Sequence, residues 1–167
     1  MQDLTTLNSL PTAEAAKELL QCCGSTRWAK QVADARPYAN LTDLVARANE
    51  IWWSLDREDW LEAFRSHPKI GEKKTADTVS AKWSGQEQSG VNNASTETTD
   101  ALANLNRAYE AKFGYIFIIC ATGKTSAEML AALRQRIEHK PEEELPIAAA
   151  EQSKITELRL KKLLTTP

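Results

Sequence analysis

Cysteine is scarce in this chain: three among 167 residues, two of them the adjacent pair Cys22 and Cys23. An odd and clustered set does not make a disulfide framework, so a reducing cytoplasm is the expected setting. Histidine is scarcer still, with His67 and His139 alone. No CxxC or HxxxH spacing occurs, so no first-row metal site is expected. Blocks of one charge are also missing. Lys and Arg number 21 against 23 Asp and Glu, a net charge of −2. Without a basic stripe to track phosphates, nucleic acid is not an expected partner. No apolar run approaches the roughly 20 residues of a membrane span, so a membrane is not one either. The opening MQDLTTLNSL has no basic n-region and no apolar h-region, and the closing Thr-Thr-Pro is not a peroxisomal address. Neither a secretion signal nor a peroxisomal tail is therefore expected.

What remains is material for one packed domain over residues 1–167. Hydrophobic residues make up 42% and charged residues 26%, which allows a core and argues against disorder. The periodicity is helical. Pro11 opens a segment whose Ala16, Leu19, Leu20 and Cys23 recur at helical spacing, with Gly24 as its C′ stop. Ser25 or Thr26 can cap a second helix through Trp28 and Val32, ending before Pro37. Thr42 starts a third, striped by Leu44, Val45, Ala48, Ile51, Trp52 and Leu55. Asp56 and Asp59, three apart, start a fourth with Trp60, Leu61 and Phe64; it ends near Ser66, because His67 precedes Pro68.

Residues 69–95 are polar, hold three glycines and show no sustained period. A long irregular connection between the fourth and fifth helices is expected there, and such connections are usually functional or mobile. A long helix resumes from Thr98 to Phe113 and closes at Gly114. The apolar run YIFIICA at 115–121 has the propensity of a buried strand but no partner strand elsewhere, so an extended or partly helical buried segment is expected. Thr125 and Glu128 form a capping box for a helix through Met129, Leu130, Leu133 and Ile137. Pro141 breaks it, and a last helix runs from about Glu143 to Leu164. The expected fold class is all-α, a single-domain helical bundle.

Few side chains stand out chemically. His139, at a helix end beside Lys140, has the position of a surface cap favoured by the helix dipole. Glu142, Glu143 and Glu144 have the pattern of a solvated helix start. His67, constrained by Pro68 at the mouth of the irregular stretch, is open between a structural role and proton transfer near neutrality. The segment Ala121–Thr125 imitates a nucleotide-binding loop, but that loop needs a glycine where Ile118 stands, so nucleotide binding is rejected. Amides at a helix start there can still hold an anionic or carbonyl group. By pattern alone, Trp83 to Gly90 is a solvated loop. Arg159 interrupts the i, i+4, i+8 row of Ile155 and Leu163. It can snorkel, or face a carboxylate that its planar fork suits, and the sequence leaves both open.

Taken together, these motifs resemble the 2-oxo-4-hydroxy-4-carboxy-5-ureidoimidazoline (OHCU) decarboxylases. The matching pieces are CCGSTRWA at 22–29, Arg36-Pro37, SHPKIGE at 66–72, WSGQEQSG at 83–90, LNRAYEAKFG at 105–114, FIICATGKTS at 117–126 and the ITELRLKKL tail at 155–163. They span nearly the whole chain, and the His-Pro motif followed by Trp-Ser…Glu-Gln is the specific part. The resemblance implies an all-helical bundle, usually homodimeric, that needs neither metal nor organic cofactor and acts on a small ureidoimidazoline. It implies that His67 is the catalytic histidine, Glu87 its acidic companion and Arg159 the arginine that grips the substrate. It also implies a pocket lined by Pro68, by Ser84, Gly85, Gln86 and Gln88 beside Glu87, and by Ile119, Cys120, Ala121, Thr122 and Gly123. Two rival readings are a helical adaptor, whose five tryptophans would build a partner surface, and another cofactor-free enzyme acting on a ureide.

Overall fold

The computed structural model describes residues 3–69, 83–84, 86–87 and 95–165. Eight helices are assigned among them: α1 (Leu4–Ser9), α2 (Thr12–Leu19), α3 (Thr26–Asp34), α4 (Leu41–Ser54), α5 (Arg57–Arg65), α6 (Thr96–Phe113), α7 (Ser126–Arg136) and α8 (Pro141–Thr165). No strand occurs among the described residues, and no described helix is long and apolar enough to cross a membrane. The class is all-α.

Local chemistry sets most helix ends. The Ser25 hydroxyl accepts the Trp28 N–H at 3.2 Å, and Asp56 accepts the Asp59 N–H at 3.2 Å. Thr125 and Glu128 form the reciprocal capping box, each side chain accepting the other's backbone N–H. Gly114 ends α6 at φ +84°, a left-handed conformation that costs glycine little. Three expectations fail at the boundaries. Helix α1, held by Asp3 accepting the Thr6 N–H at 2.7 Å, lies where no periodic signal was read. Helix α2 stops at Leu19, with Leu20 still right-handed and 37% exposed, so Gly24 is not its C′ residue. Helix α4 begins at Leu41, one residue ahead of the expected Thr42, and is capped by Asn40, which accepts the Asp43 N–H at 2.8 Å.

The contacts divide into two compact units, residues 1–63 with 153–167, and residues 64–152; the divisions fall inside α5 and α8. In the first unit, Leu7, Leu19, Trp28, Leu44 and Leu160 are buried. The Trp28 indole N–H donates to the Ala48 carbonyl at 3.0 Å, so the ring is buried without an orphaned donor. Arg36 donates to the carbonyls of Leu7, Leu10 and Ala33 at 2.6–2.8 Å. One guanidinium thereby satisfies carbonyls near the C-terminal ends of α1 and α3, where a cation is favoured.

The second unit is built on aromatics. Phe64, Tyr109, Phe113, Tyr115 and Phe117 stack in a chain with centroids 4.6–6.1 Å apart. Residues 115–121 are neither strand nor helix, yet all but Ile116 are buried. This is the extended buried segment expected for an apolar run without a pairing partner. Of the five tryptophans, Trp28, Trp52 and Trp83 are buried and Trp53 is 43% exposed, so core packing accounts for most of them.

Candidate active site

The second unit gathers most of the expected site residues. Helix α5 ends in a tight turn in which the His67 N–H donates to the Phe64 carbonyl at 3.2 Å. Pro68 follows, buried, and fixes where the imidazole leaves the chain. The ring Nε2 lies 2.6 Å from Oε1 of Gln152, a side chain with no exposed surface at all. Gln152 was not singled out from the sequence. A signal for it existed: it stands three residues before Ile155 and seven before Arg159, in the same helical row. A polar residue on a buried row carries a desolvation cost unless it is bonded, and here the bond goes to His67.

Within the 69–95 stretch the described residues Trp83, Ser84, Gln86 and Glu87 are helical. Ser84 is 6% and Glu87 8% exposed, so these two belong to the interior, whereas Gln86 faces solvent. A solvated loop is therefore not what these residues form. The candidates Gly85 and Gln88 lie outside the described residues.

Ile119, Cys120 and Ala121 are buried, and Thr122 and Gly123 surface in a turn with Gly123 at φ +77°. The Cys120 N–H donates to Glu151 Oε1 at 3.2 Å. Burial pushes the Cys120 thiol up, the Thr122 amide opposes that, and the charges of Glu151 and Glu87 add to it. Glu87, Glu151 and the 119–122 backbone thus share one electrostatic environment within this unit. Glu151 is a second residue the sequence did not single out.

Behind that segment lies a buried charge network. Arg136 Nε donates to Glu144 Oε1 at 2.6 Å, and Arg136 Nη1 donates to the Ile118 carbonyl at 2.6 Å. The Tyr109 hydroxyl donates to Glu144 Oε1 at 2.9 Å, and His139 Nδ1 lies 3.0 Å from Glu144 Oε2. Glu144 is fully buried, and the Arg136 guanidinium sits 4.5 Å over the Phe117 ring. Burial pushes the Tyr109 phenol far above its ordinary range, so it remains a donor. Two expectations are corrected here. Glu144 is not part of a solvated helix start, and His139 is a partner of a buried carboxylate rather than a surface cap. Both were misread because Glu144 takes its partners from other helices, Tyr109 from α6 and Arg136 from α7, which no local pattern reports.

In the first unit, Arg159 is 3% exposed and donates through Nη1 to the Gln21 carbonyl at 3.4 Å. Its head group is buried, so it does not snorkel. It lies beside the Cys22–Cys23 pair and lowers both thiols, against a larger desolvation effect that pushes Cys23 up to about 12. These cysteines are buried and protonated, not reactive thiolates. A groove between α4 and α8 in this unit is lined by residues such as Val45, Trp52, Ser153 and Leu160, none of them candidates.

In the second unit of an all-helical chain, an imidazole on a buried amide and an interior carboxylate are groups capable of acid–base chemistry. The family model for OHCU decarboxylase matches residues 8–161, and the chain belongs to that family. It is 45% identical over 148 residues to a bifunctional uric acid degradation protein of Arabidopsis thaliana, covering 86% of this chain and 45% of that protein. It is 30% identical over 141 residues to an OHCU decarboxylase of Amia calva, covering 83% and 81%. The chain therefore spans under half of the plant protein and about four-fifths of the fish one. A crystal structure of an OHCU decarboxylase in the presence of (S)-allantoin matches with TM-score 0.78 and 42% identity, over 89% of this chain and 97% of that one.

Proposed function

We propose that this chain decarboxylates OHCU to (S)-allantoin in urate degradation by acid–base catalysis without a cofactor. The observation that carries the reading is the family match over residues 8–161, which takes in His67-Pro68, the Ser84–Glu87 region and Arg159. Relatives named for this reaction, and a neighbour crystallised with allantoin, support it.

The substrate carries its carboxylate and a hydroxyl on one ring carbon, next to a C=N unit. When the bond to the carboxylate breaks, CO2 leaves and the electron pair passes into that unit, so no pyridoxal-type sink is required. The nitrogen of that unit takes up one proton, the one that replaces CO2; the hydroxyl then gives up its proton as the carbonyl forms, and the neighbouring ring carbon gains one from a single face. In this proposal His67 exchanges these protons, Glu87 orients His67 or a ureido N–H, and Arg159 anchors an anionic or carbonyl oxygen. Pro68, Ser84, Gly85, Gln86 and Gln88, with Ile119 to Gly123, line the pocket. Residues 1–167 act as one domain, assembled as a homodimer in the cytoplasm.

Freshly generated OHCU tests the reading. The protein is expected to accelerate its disappearance well above the spontaneous rate. An unchanged decay, as an adaptor would give, contradicts it; so does a protein that leaves OHCU alone and consumes another ureide.

A further inference from the structure

We propose that Arg136 is a positioning residue for the site: from the end of α7 it grips the Ile118 carbonyl and so fixes the backbone that presents Ile119 to Gly123 to the substrate. This rests on the reading above that those five residues line the pocket.

The segment needs such a hold. Residues 115–121 are mostly buried and belong to neither helix nor strand, so no regular ladder serves their backbone. Helix α7 holds the stretch at two points. At its start, the Thr125–Glu128 capping box fixes the chain as it leaves the turn at Gly123, and the Lys124 N–H donates to the Ala121 carbonyl at 3.0 Å. At its other end, Arg136 reaches back 18 positions and donates through Nη1 to the Ile118 carbonyl at 2.6 Å. Residues 119–123 therefore run between two anchors on one 11-residue helix.

The guanidinium is itself fixed from other directions. Its Nε donates to Glu144 Oε1 at 2.6 Å, the same oxygen that accepts the Tyr109 hydroxyl, and its flat face sits 4.5 Å over the Phe117 ring. A planar fork clamped by a carboxylate and a ring has little freedom to follow Ile118 if that backbone shifts, so it acts as a stop. The remaining nitrogen, Nη2, is buried with no hydrogen-bond partner among the described residues. An idle buried donor costs stability, so packing energy alone does not account for a guanidinium here. The bond from Nη1 to the segment does.

The test compares two variants of the full chain that loosen this network differently, with freshly generated OHCU as substrate. Arg136→Leu combined with Glu144→Leu removes the grip on Ile118 and leaves neither charge of the pair buried alone. Tyr109→Phe removes one bond to Glu144 and keeps the grip. The double variant should show KM about tenfold above wild type, the order of one lost hydrogen bond, with kcat within about twofold. Hydrogen exchange at the Cys120 amide should quicken in the same protein. Tyr109→Phe should unfold at lower urea yet keep wild-type KM and Cys120 exchange. Should the double leucine protein fail to fold, Arg136→Met with Glu144→Gln, which leaves Tyr109 an acceptor, carries the same expectation. A folded variant without the grip but with wild-type KM overturns the proposal. So does a Tyr109→Phe protein whose KM rises as far, since general loosening would then suffice. A wild type that leaves OHCU decay unchanged ends this proposal together with the reading it rests on, and shows as absent turnover in every protein rather than a shift in one KM.

Discussion

The two histidines sit in contrasting surroundings within the same unit. His139 meets a carboxylate, Glu144, that already serves Arg136 and Tyr109. His67 meets a neutral amide. The difference separates structure from chemistry. A buried carboxylate shared by a guanidinium, a phenol and an imidazole is a knot whose removal leaves uncompensated charge. An amide constrains an imidazole's direction and brings no charge of its own. The knot also has a link to the site, because Arg136 grips the Ile118 carbonyl immediately before Ile119, where the proposed pocket lining begins.

This contrast can be broken by substitution. The largest expected effect is on turnover: His67→Ala should lower it by about 100- to 10,000-fold with the helical circular dichroism signal intact. His139→Ala should leave turnover near wild type, and equal losses in the two variants would erase the distinction. Next comes stability. Arg136→Leu should lower the unfolding free energy in urea by about 3–5 kcal/mol, because Glu144 is left charged and buried. The double variant Arg136→Leu with Glu144→Leu should recover part of that loss; a double variant worse than the sum would show that the pair is not the unit of energy. The smallest effect belongs to His139→Ala on stability, about 1 kcal/mol, since its side chain is 25% exposed and water can replace it. A loss as large as that of Arg136→Leu would make His139 an equal member of the network.

How far each feature could be read follows from the range of the interaction behind it. Ser25, the Asp56–Asp59 pair, Thr125–Glu128 and Gly114 act within one turn of chain, and each helix end they predict is present. Their spacing alone, with the apolar stripes, gives the all-α class. His67-Pro68 announces itself because proline restricts the residue before it. Arg159 is visible as a break in an apolar row, but only its buried bond to Gln21 decides against snorkelling. Gln152, Glu144 and His139 depend on partners from other elements. Gln152 shares a helical row with Ile155 and Arg159, which hints at burial, but its partner lies 85 positions away. Trp83, Ser84 and Glu87 read as loop from their glycine and polar surroundings, yet all three are buried.

The most direct test of the account is the handedness of the product. OHCU decays spontaneously to racemic allantoin, so an enzyme that protonates from one face must leave an optical signature. Circular dichroism of the allantoin formed with this protein should show an excess of the (S) form; a racemate formed at the spontaneous rate would contradict the account.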